Sequence, residues 1–561
     1  PVDFKTDTLT VGAELDRKSW NLGARLTASD FETGFNSLTW DNQLFLTDTA
    51  VSATSAYPAR GRLTLWTDSS VKSATVYGGV NLPGHTRLNA TISRAETTQD
   101  DPFLPKTTNT LLAPAALPAA SFDGKFKNSL AELRVSSRPG KSFRWGAWVR
   151  QYELENESPE LDFADYVQTD YQFPLCGNAN SCGATTNRLE RRNLPYGYKR
   201  TNLGASAGYK PVSWLDATLA LERESMEREF SAVEKSDEDI AKLVLDFQAG
   251  ERVSIRSTFR HQERRADEYD AIYFEHSFPI GEAYVAPANE GMRRFYWTDR
   301  DRDAASLLVE VTPHPKFSIY AEATYADDTY LDPETGRKIG DSFTTSEDRN
   351  FDTTPESYTI LLAGRTEDRS TSYTLGFSTS PVPRFNIYGD YTKEKSTYRL
   401  ESRYRAPAAG IGSDNPLDDW GSDADDRYAT ASLGFDLGLT KKGEWKLAVD
   451  ASRSIGEGDI ETDFVPGGSA SSDTTLTRFP HLKTTLTIAT LALTHALSKQ
   501  LDYTLRYWYE TWNENNWAAD QMQPYMGDPG NDRGSANSIY LGMDYLNYEN
   551  HVLSVLMRYR Y

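Results

Sequence analysis

Polar and apolar residues alternate along this chain with a period of two, in stretches of about ten residues. That is the pattern of a strand whose two faces meet different surroundings, and the length is roughly what a tilted strand needs to cross a bilayer. The stretch His551–Tyr561 shows it plainly. Leu553, Val555, Met557, Tyr559 and Tyr561 fall on one face, and Val552, Ser554, Leu556, Arg558 and Arg560 on the other. One face is apolar and ends in aromatics, while the other carries both arginines.

The unit recurs as strand, tight turn, strand and long polar loop. Tight turns are predicted at Asp16–Ser19, Leu82–Gly84, Arg138–Gly140, Lys210–Trp214, Ala249–Glu251, Thr312–Lys316, Pro381–Arg384, Thr440–Gly443, Ser498–Gln500 and Asn547–Asn550. These give about ten hairpins and roughly twenty legible strands, with further strand candidates near Leu38–Leu46 and Tyr358–Arg365. A sandwich would need Greek-key crossovers, whereas strict alternation of short turns and long loops favours an up-and-down barrel. Closure removes sheet edges and satisfies the backbone in lipid.

The predicted fold class is therefore all-β: a large antiparallel up-and-down transmembrane β-barrel with short periplasmic turns and long extracellular loops. An even strand number of about 20–26 is expected, with residues 1–561 as a single domain in the bacterial outer membrane. The last strand should pair with Ser538–Leu546 on one side and with the first strand, near Thr8–Leu15, on the other, leaving both termini periplasmic. The lipid face is predicted to carry Leu203, Ala205, Leu219, Leu243, Leu245, Val253, Ile255, Leu307, Val309, Leu433, Phe435, Leu447, Val449, Leu505, Leu541, Met543, Leu553 and Val555.

Composition agrees with this reading. The 31 Tyr, 24 Phe and 12 Trp suit interfacial aromatic girdles. A net charge of −21 argues against a nucleic-acid partner and suits long outer loops and a polar lumen. No apolar run reaches the 18 or more residues of a membrane helix, which says nothing against strands. Barrels of about 16–18 strands already leave an aqueous channel, so a wider one is an unselective hole unless something fills it. The strand pattern starts near Thr8, which leaves no room in the sequence for a plug domain. A separate partner inside the lumen is the expectation, and a wide porin or solute transporter is the alternative.

No motif points to an enzyme. Gly204-Ala205-Ser206-Ala207-Gly208 matches the hydrolase G-x-S-x-G elbow, but that motif needs a strand–turn–helix context, and Ser206 sits on the polar face of an alternating strand. Cys176 and Cys182 flank a short segment of a long loop and are expected to form a loop disulfide in an oxidising compartment; a redox-active pair is the other reading. There is no C-x-x-C-H, so the chain should hold no covalent haem of its own. His261, His495 and His551 lie near strand ends, where an interfacial role is the default. His85 and His314 lie in turns, where plain exposure is the first reading. The carboxylates Asp418, Asp419, Asp423, Asp425 and Asp426 form an acidic stretch that is read as a solvated loop, with calcium as the alternative. Arg293–Asp303 reads as a charged aromatic loop leading into the strand Ala305–Val311.

Several separated segments resemble the MtrB/PioB outer-membrane barrels associated with decahaem cytochromes. They are Leu38–Asn42, Gly61–Leu65, Gly78–Ser93, Gln99–Pro105, Leu117–Lys125, Asn193–Arg200, Glu227–Asp239, Met292–Asp303, Phe479–Leu486 and Leu505–Trp512, in the family's order. The resemblance implies a barrel that sheathes a periplasmic multihaem c-type cytochrome and insulates it from lipid, so that electrons cross the outer membrane; some members add an extracellular multihaem cytochrome. It also implies that the haems belong to the partner. The C-x-x-C that some members carry near the N-terminus is missing here. On this reading Glu222, Lys242, Asp246, Arg252, Arg256, Arg260, Glu310, Arg506, Arg558 and Arg560, all on the lumen-side register, are candidates to contact haem propionates or the cytochrome surface. The competing reading is that they simply line a wet lumen.

Overall fold

A computed structural model describes residues 3–42, 45–49, 58–111, 116–163, 191–270, 291–347, 356–403, 419–440, 444–464, 478–516 and 547–559. The wall opens with β1 (Phe4–Asp16) and β2 (Trp20–Thr33). The following loop carries a small hairpin, β3 (Ser37–Asp41) with β4 (Arg60–Thr64). Next come β5 (Ser69–Leu82), β6 (Thr86–Gln99), β7 (Gly124–Ser137) and β8 (Phe143–Asn156). A second small hairpin joins β9 (Asp162–Phe163) to β10 (Arg191–Arg192). The wall resumes with β11 (Tyr198–Val212), β12 (Leu215–Arg228), β13 (Lys235–Ala249) and β14 (Val253–Ala266). After the stub β15 (Met292–Arg293) come β16 (Asp299–His314) and β17 (Phe317–Leu331). A third small hairpin pairs β18 (Ser342–Glu347) with β19 (Glu356–Leu361). The chain continues through β20 (Ala363–Val382), β21 (Phe385–Arg403), β22 (Asp419–Gly438), β23 (Trp445–Phe464), β24 (Leu482–Ala496), β25 (Leu501–Asn515) and β26 (Tyr548–Tyr559).

These strands form a 20-stranded sheet, and setting aside the two-residue β15 leaves nineteen long wall strands, each antiparallel to the next. The expected tight turns fall between paired strands throughout the first nine hairpins, although 441–443 lies outside the described residues. The Leu82–Thr86 hairpin turns through Gly84 at φ +74°, and Gly250 does the same at φ +73° between β13 and β14. Glycine reaches that left-handed region without steric cost. Beside other short turns the ladder slips by a bulge, between Tyr209 and Val212, Val311 and His314, and Thr379 and Val382. Each slip contains a proline, namely Pro211, Pro313 and Pro381. A proline has no N–H for the ladder, so pairing can tolerate it where the strand is already ending.

Several expectations change. Asn547–Asn550 is not a turn: Tyr548 begins β26, which pairs along its length with β25. The proposed neighbour Ser538–Leu546 lies outside the described residues. Residues 517–546 between β25 and β26 lie outside the described residues, and among the described residues there are nineteen long wall strands, so β1 and β26 run the same way. Both run from the long-loop end to the short-turn end, so Tyr559 sits at the short-turn end as expected, while Phe4 sits at the other. β1 and β26 each have one described ladder neighbour. Leu38–Leu46 and Tyr358–Arg365 do contribute strands, but mainly to the small loop hairpins rather than to the wall.

Candidate functional site: the inner wall

Residues directly opposite one another in a ladder share a face, so the faces can be followed from strand to strand. One face is apolar across the whole sheet. It runs from Val11 and Leu26 through Val76, Ile92, Leu133, Val149, Leu203, Leu219, Leu243, Ile255 and Val309 to Leu375, Leu433, Val449, Leu493, Leu505 and Val555. Every lipid-face residue predicted from the sequence lies on it, apart from Leu541 and Met543, which fall outside the described residues. Leu553 is 70% exposed and Val555 71% exposed. So large an uncovered apolar surface requires a nonaqueous neighbour.

Two aromatic belts bound this face. At the short-turn end stand Trp20, Phe143, Tyr209, Phe247, Phe317, Phe385, Trp445, Tyr503 and Tyr559. Trp445 stacks on His495 at 4.0 Å, and Trp214, in the adjoining turn, stacks on Phe247 at 6.4 Å. Toward the loops stand Phe259, Tyr325, Tyr373, Tyr391 and Tyr507. Phe317 and Tyr325 on β17 are ~26 Å apart along the strand, about 20 Å in height at a tilt of ~40°, and Tyr503 and Tyr507 on β25 are ~13 Å apart along theirs.

The opposite face is polar and hydrogen-bonded across the ladders. Arg144 makes a bidentate pair with Asp216 at 2.6 and 2.7 Å. The candidate contact residues all share this face where they are described in a strand. Arg256 pairs with Asp246 at 2.6 Å and Arg558 with Asp502 at 2.9 Å. Glu222 accepts from Asn202 at 2.8 Å, and Glu310 accepts from Ser254 at 3.2 Å. Lys242 and Arg260 are directly opposite each other and, like Arg506, have no hydrogen-bond or ion-pair partner among the described residues. Arg252 lies in the turn before β14, not in the wall, and Arg560 lies outside the described residues. Ser206 opposes Gly146 and Ala220 in β11, and no helix follows it. A recess of about 430 Å³ near the short-turn end is lined by Arg134, Arg138, Arg144, Trp148, His85 and Ser206.

The acidic stretch is not a loop from Asp419 onward. Asp419, Asp423, Asp425 and Asp426 lie in the outer part of β22, and Asp418 lies outside the described residues. Asp419 is paired with Arg403, Asp423 with Arg399 at 2.8 Å, and Asp425 with Lys395 at 2.9 Å. Among the described residues no group of three or more His, Cys, Asp or Glu side chains is gathered to hold a metal ion. Cys176 and Cys182 lie outside the described residues. His261 is bound by Asp303 at 2.7 Å, and His551 by Tyr507 at 2.6 Å, on the face that carries the belts.

The long-loop end has a packed core that sequence reading missed. The Arg293–Asp303 stretch is not a plain charged loop: Asp299–Asp303 begins β16, and Arg293 turns inward to bind Asp332 at 2.6 Å, with the two side chains only 4% and 0% exposed. Asp332 also accepts from Thr335 Oγ1 at 2.6 Å. Around them Tyr330, Ile339 and Leu362 form one apolar cluster, and Ala232, Val233 and Tyr269 another. Burial pushes the Tyr269 hydroxyl above its ordinary range. In the loops near β3 and β4, Asp48 accepts the Ala59 N–H at 2.8 Å and the Thr110 N–H and hydroxyl at 2.8 and 2.7 Å. Those bonds hold its carboxyl below the usual carboxylate range. Arg192 does the same for Asp162 in the β9–β10 hairpin.

A wide antiparallel wall with an apolar outer face, two aromatic belts and a charged inner face is an outer-membrane β-barrel. The sequence profile of the family described as "outer membrane beta-barrel porin, MtrB/PioB" matches residues 1–359 and 350–561. The chain belongs to the MtrB/PioB family and is an outer-membrane protein. No curated protein matches it. Among solved structures it is similar to the ferric-catecholate import receptor Fiu from E. coli K12, at 10% identity and TM-score 0.41, over 99% of this chain and 79% of that one. It is also similar to the copper transporter OprC, at 10% identity and TM-score 0.43 over 90% and 74% of the two chains. The FrpB iron transporter from Neisseria meningitidis gives 10% identity and TM-score 0.45 over 90% and 67%. Similarity at this level carries no argument about what the chain transports or binds.

Proposed function

We propose that this barrel is a non-enzymatic sheath that holds a periplasmic multihaem c-type cytochrome in its lumen, so that electrons cross the outer membrane along the partner's haems. Family membership and the inner wall support the reading. Closed on itself, a wall of nineteen strands spaced ~4.8 Å and tilted ~40° would be ~38 Å across, or ~28 Å inside its side chains. That width accommodates a slender folded protein. The inner wall is hydrogen-bonded and charged over its whole height, which suits a protein surface or water and excludes lipid. An extracellular multihaem cytochrome seated against the packed loop end would extend the same path.

The observation that carries the proposal is the breadth and polarity of the inner face in a chain of this family. Purification from outer membranes followed by haem staining tests it. A c-type cytochrome in constant ratio to the barrel is expected. A barrel that purifies without haem and conducts ions through large open pores would instead favour a solute channel, the reading that the family's porin description suggests.

A further inference from the structure

Charge on the inner wall is not mixed evenly. On the half formed by β2–β14, cations predominate and several lack a carboxylate of their own. Arg87 is held by the neutral side chains of Asn21, Asn81 and Asn89, at 2.9, 3.0 and 2.9 Å. Arg134 and Arg150 share one nearby carboxylate: Glu132 is 4.0 Å from Arg134 and directly opposite Arg150 in the ladder. Arg25, Lys242 and Arg260 have no hydrogen-bond or ion-pair partner among the described residues. Of the acids on this half, Asp216 and Asp246 are consumed by Arg144 and Arg256, Glu238 pairs with Arg300 and Glu224 lies 3.8 Å from Arg200, while Glu222 is held by the neutral Asn202.

The other half is the reverse. Between the aromatic belts, the inner face of β17, β20, β21 and β22 has no lysine or arginine. It carries Glu322, Asp390 and Asp436, with Glu310 on β16 and Asp450 on β23 beside them; the flanking strands also turn Lys446 to this face next to the short-turn belt, and Arg300 and Arg302 toward the loop end, where they pair with Glu238 and Asp328. Hydroxyls satisfy several of these oxygens without neutralising them. Ser432 donates to Asp390, Tyr388 to Asp450, and Ser254 to Glu310.

We propose that the lumen is electrostatically two-sided, with a basic arc on β2–β14 and an acidic arc on β16–β23, and that it fixes the rotation of a partner whose own surface is divided into an acidic and a basic side. This rests on the sheath reading and adds the partner's surface chemistry to it. Screening limits such forces to about 8 Å at physiological salt, so the arcs act at contact, as charge complementarity does in other interfaces. A partner turned by half a revolution would set like charges against both arcs. A fixed rotation aims a given haem edge at a given sector of the loop end, which is what hand-off to a second carrier requires.

The experiment compares two double variants, Lys242→Glu with Arg260→Glu and Glu322→Lys with Asp390→Lys. Haem per barrel is measured in the complex purified from outer membranes at low and high salt, and heat-modifiable migration reports insertion. Both variants should insert, and each should lose roughly tenfold of the retained haem at low salt. The neutral pair Glu322→Gln with Asp390→Asn should move haem retention in the same direction by less, and it keeps the test usable if the lysine pair does not insert. An acidic-arc reversal that keeps or raises haem retention would mean the partner responds only to total charge, and would overturn the two-sided lumen. So would normal retention in both reversals. Absence of haem from the unmodified barrel would instead defeat the sheath reading itself.

Discussion

The membrane wall and the long-loop end are built on different principles. The largest fully buried apolar side chains among the described residues, Ile339, Leu362 and Val233, all lie at the loop end. The wall has no comparable interior. Its outer face leaves residues such as Leu553 and Val555 uncovered, and its inner face is a single polar layer in which cations such as Lys242 and Arg260 have no bonded partner among the described residues. The loop end therefore specifies itself by packing, whereas the wall is held by ladders and completed by what touches it, lipid outside and water or a partner inside. A perturbation should act locally at the loop end, but in the wall its effect should depend on which face it meets.

The largest expected effect is at the Arg293–Asp332 pair. Asp332→Ala removes the nearer carboxylate of the buried Arg293 guanidinium, which keeps Glu334 at 3.5 Å, and removes the acceptor of Thr335; it should cost about 3–5 kcal/mol of local stability. Hydrogen exchange should show the loop end opening, with exchange in β24–β26 unchanged; loss of protection throughout the wall would erase the distinction between the two regions. Next is Leu245→Arg, at the middle of the apolar face, where an arginine against lipid should cost roughly 2–4 kcal/mol. Reversible folding into vesicles measures it. The matching change on the inner face, Thr258→Arg, should fold nearly as the unmodified chain does; equal costs at the two positions would reverse the faces.

Most of the wall was legible because alternation is a property of each strand alone. Leu203 and Ala205 announce their face without reference to any neighbour. The failures share one cause, which is contact between residues distant in sequence. Arg293 reads as one charge in a mixed loop until Asp332 reaches it. Asp419, Asp423 and Asp425 read as a solvated cluster because their cations, Arg403, Arg399 and Lys395, come from the strand before. The pairing of β26 with β25 was not foreseen because β25 lies beyond a long connection, while Ser538–Leu546, which lies outside the described residues, alternates close at hand in the sequence.

A smaller effect is expected from acid. The Asp48 carboxylate is held below the ordinary range, so its contribution is fully present above the unfolded carboxylate value near 4 and is lost as pH falls through the lowered folded value. Proteolysis of the loops around Asp48 and Thr110 should accelerate below about pH 4, and Asp48→Asn should be susceptible already at neutral pH. Acid sensitivity unchanged by Asp48→Asn would show that the carboxylate does not order these loops. The smallest effect is at Arg256→Ala: its pair with Asp246 is largely exposed, and such pairs are worth at most about 1 kcal/mol. The melting of the empty barrel should barely move, and a large drop would show that the inner wall stabilises itself as the loop end does.

The sheath is tested most directly by asking what crosses it. The complex purified from outer membranes is placed in vesicles that enclose a reduced dye, and an electron acceptor that cannot cross the bilayer is added outside. A haem-filled barrel should oxidise the enclosed dye while a small enclosed solute stays inside, and the barrel stripped of its partner should do neither of these things in combination. Leakage of the solute at the rate of dye oxidation, or no oxidation by a haem-containing complex, would contradict an insulated conduit.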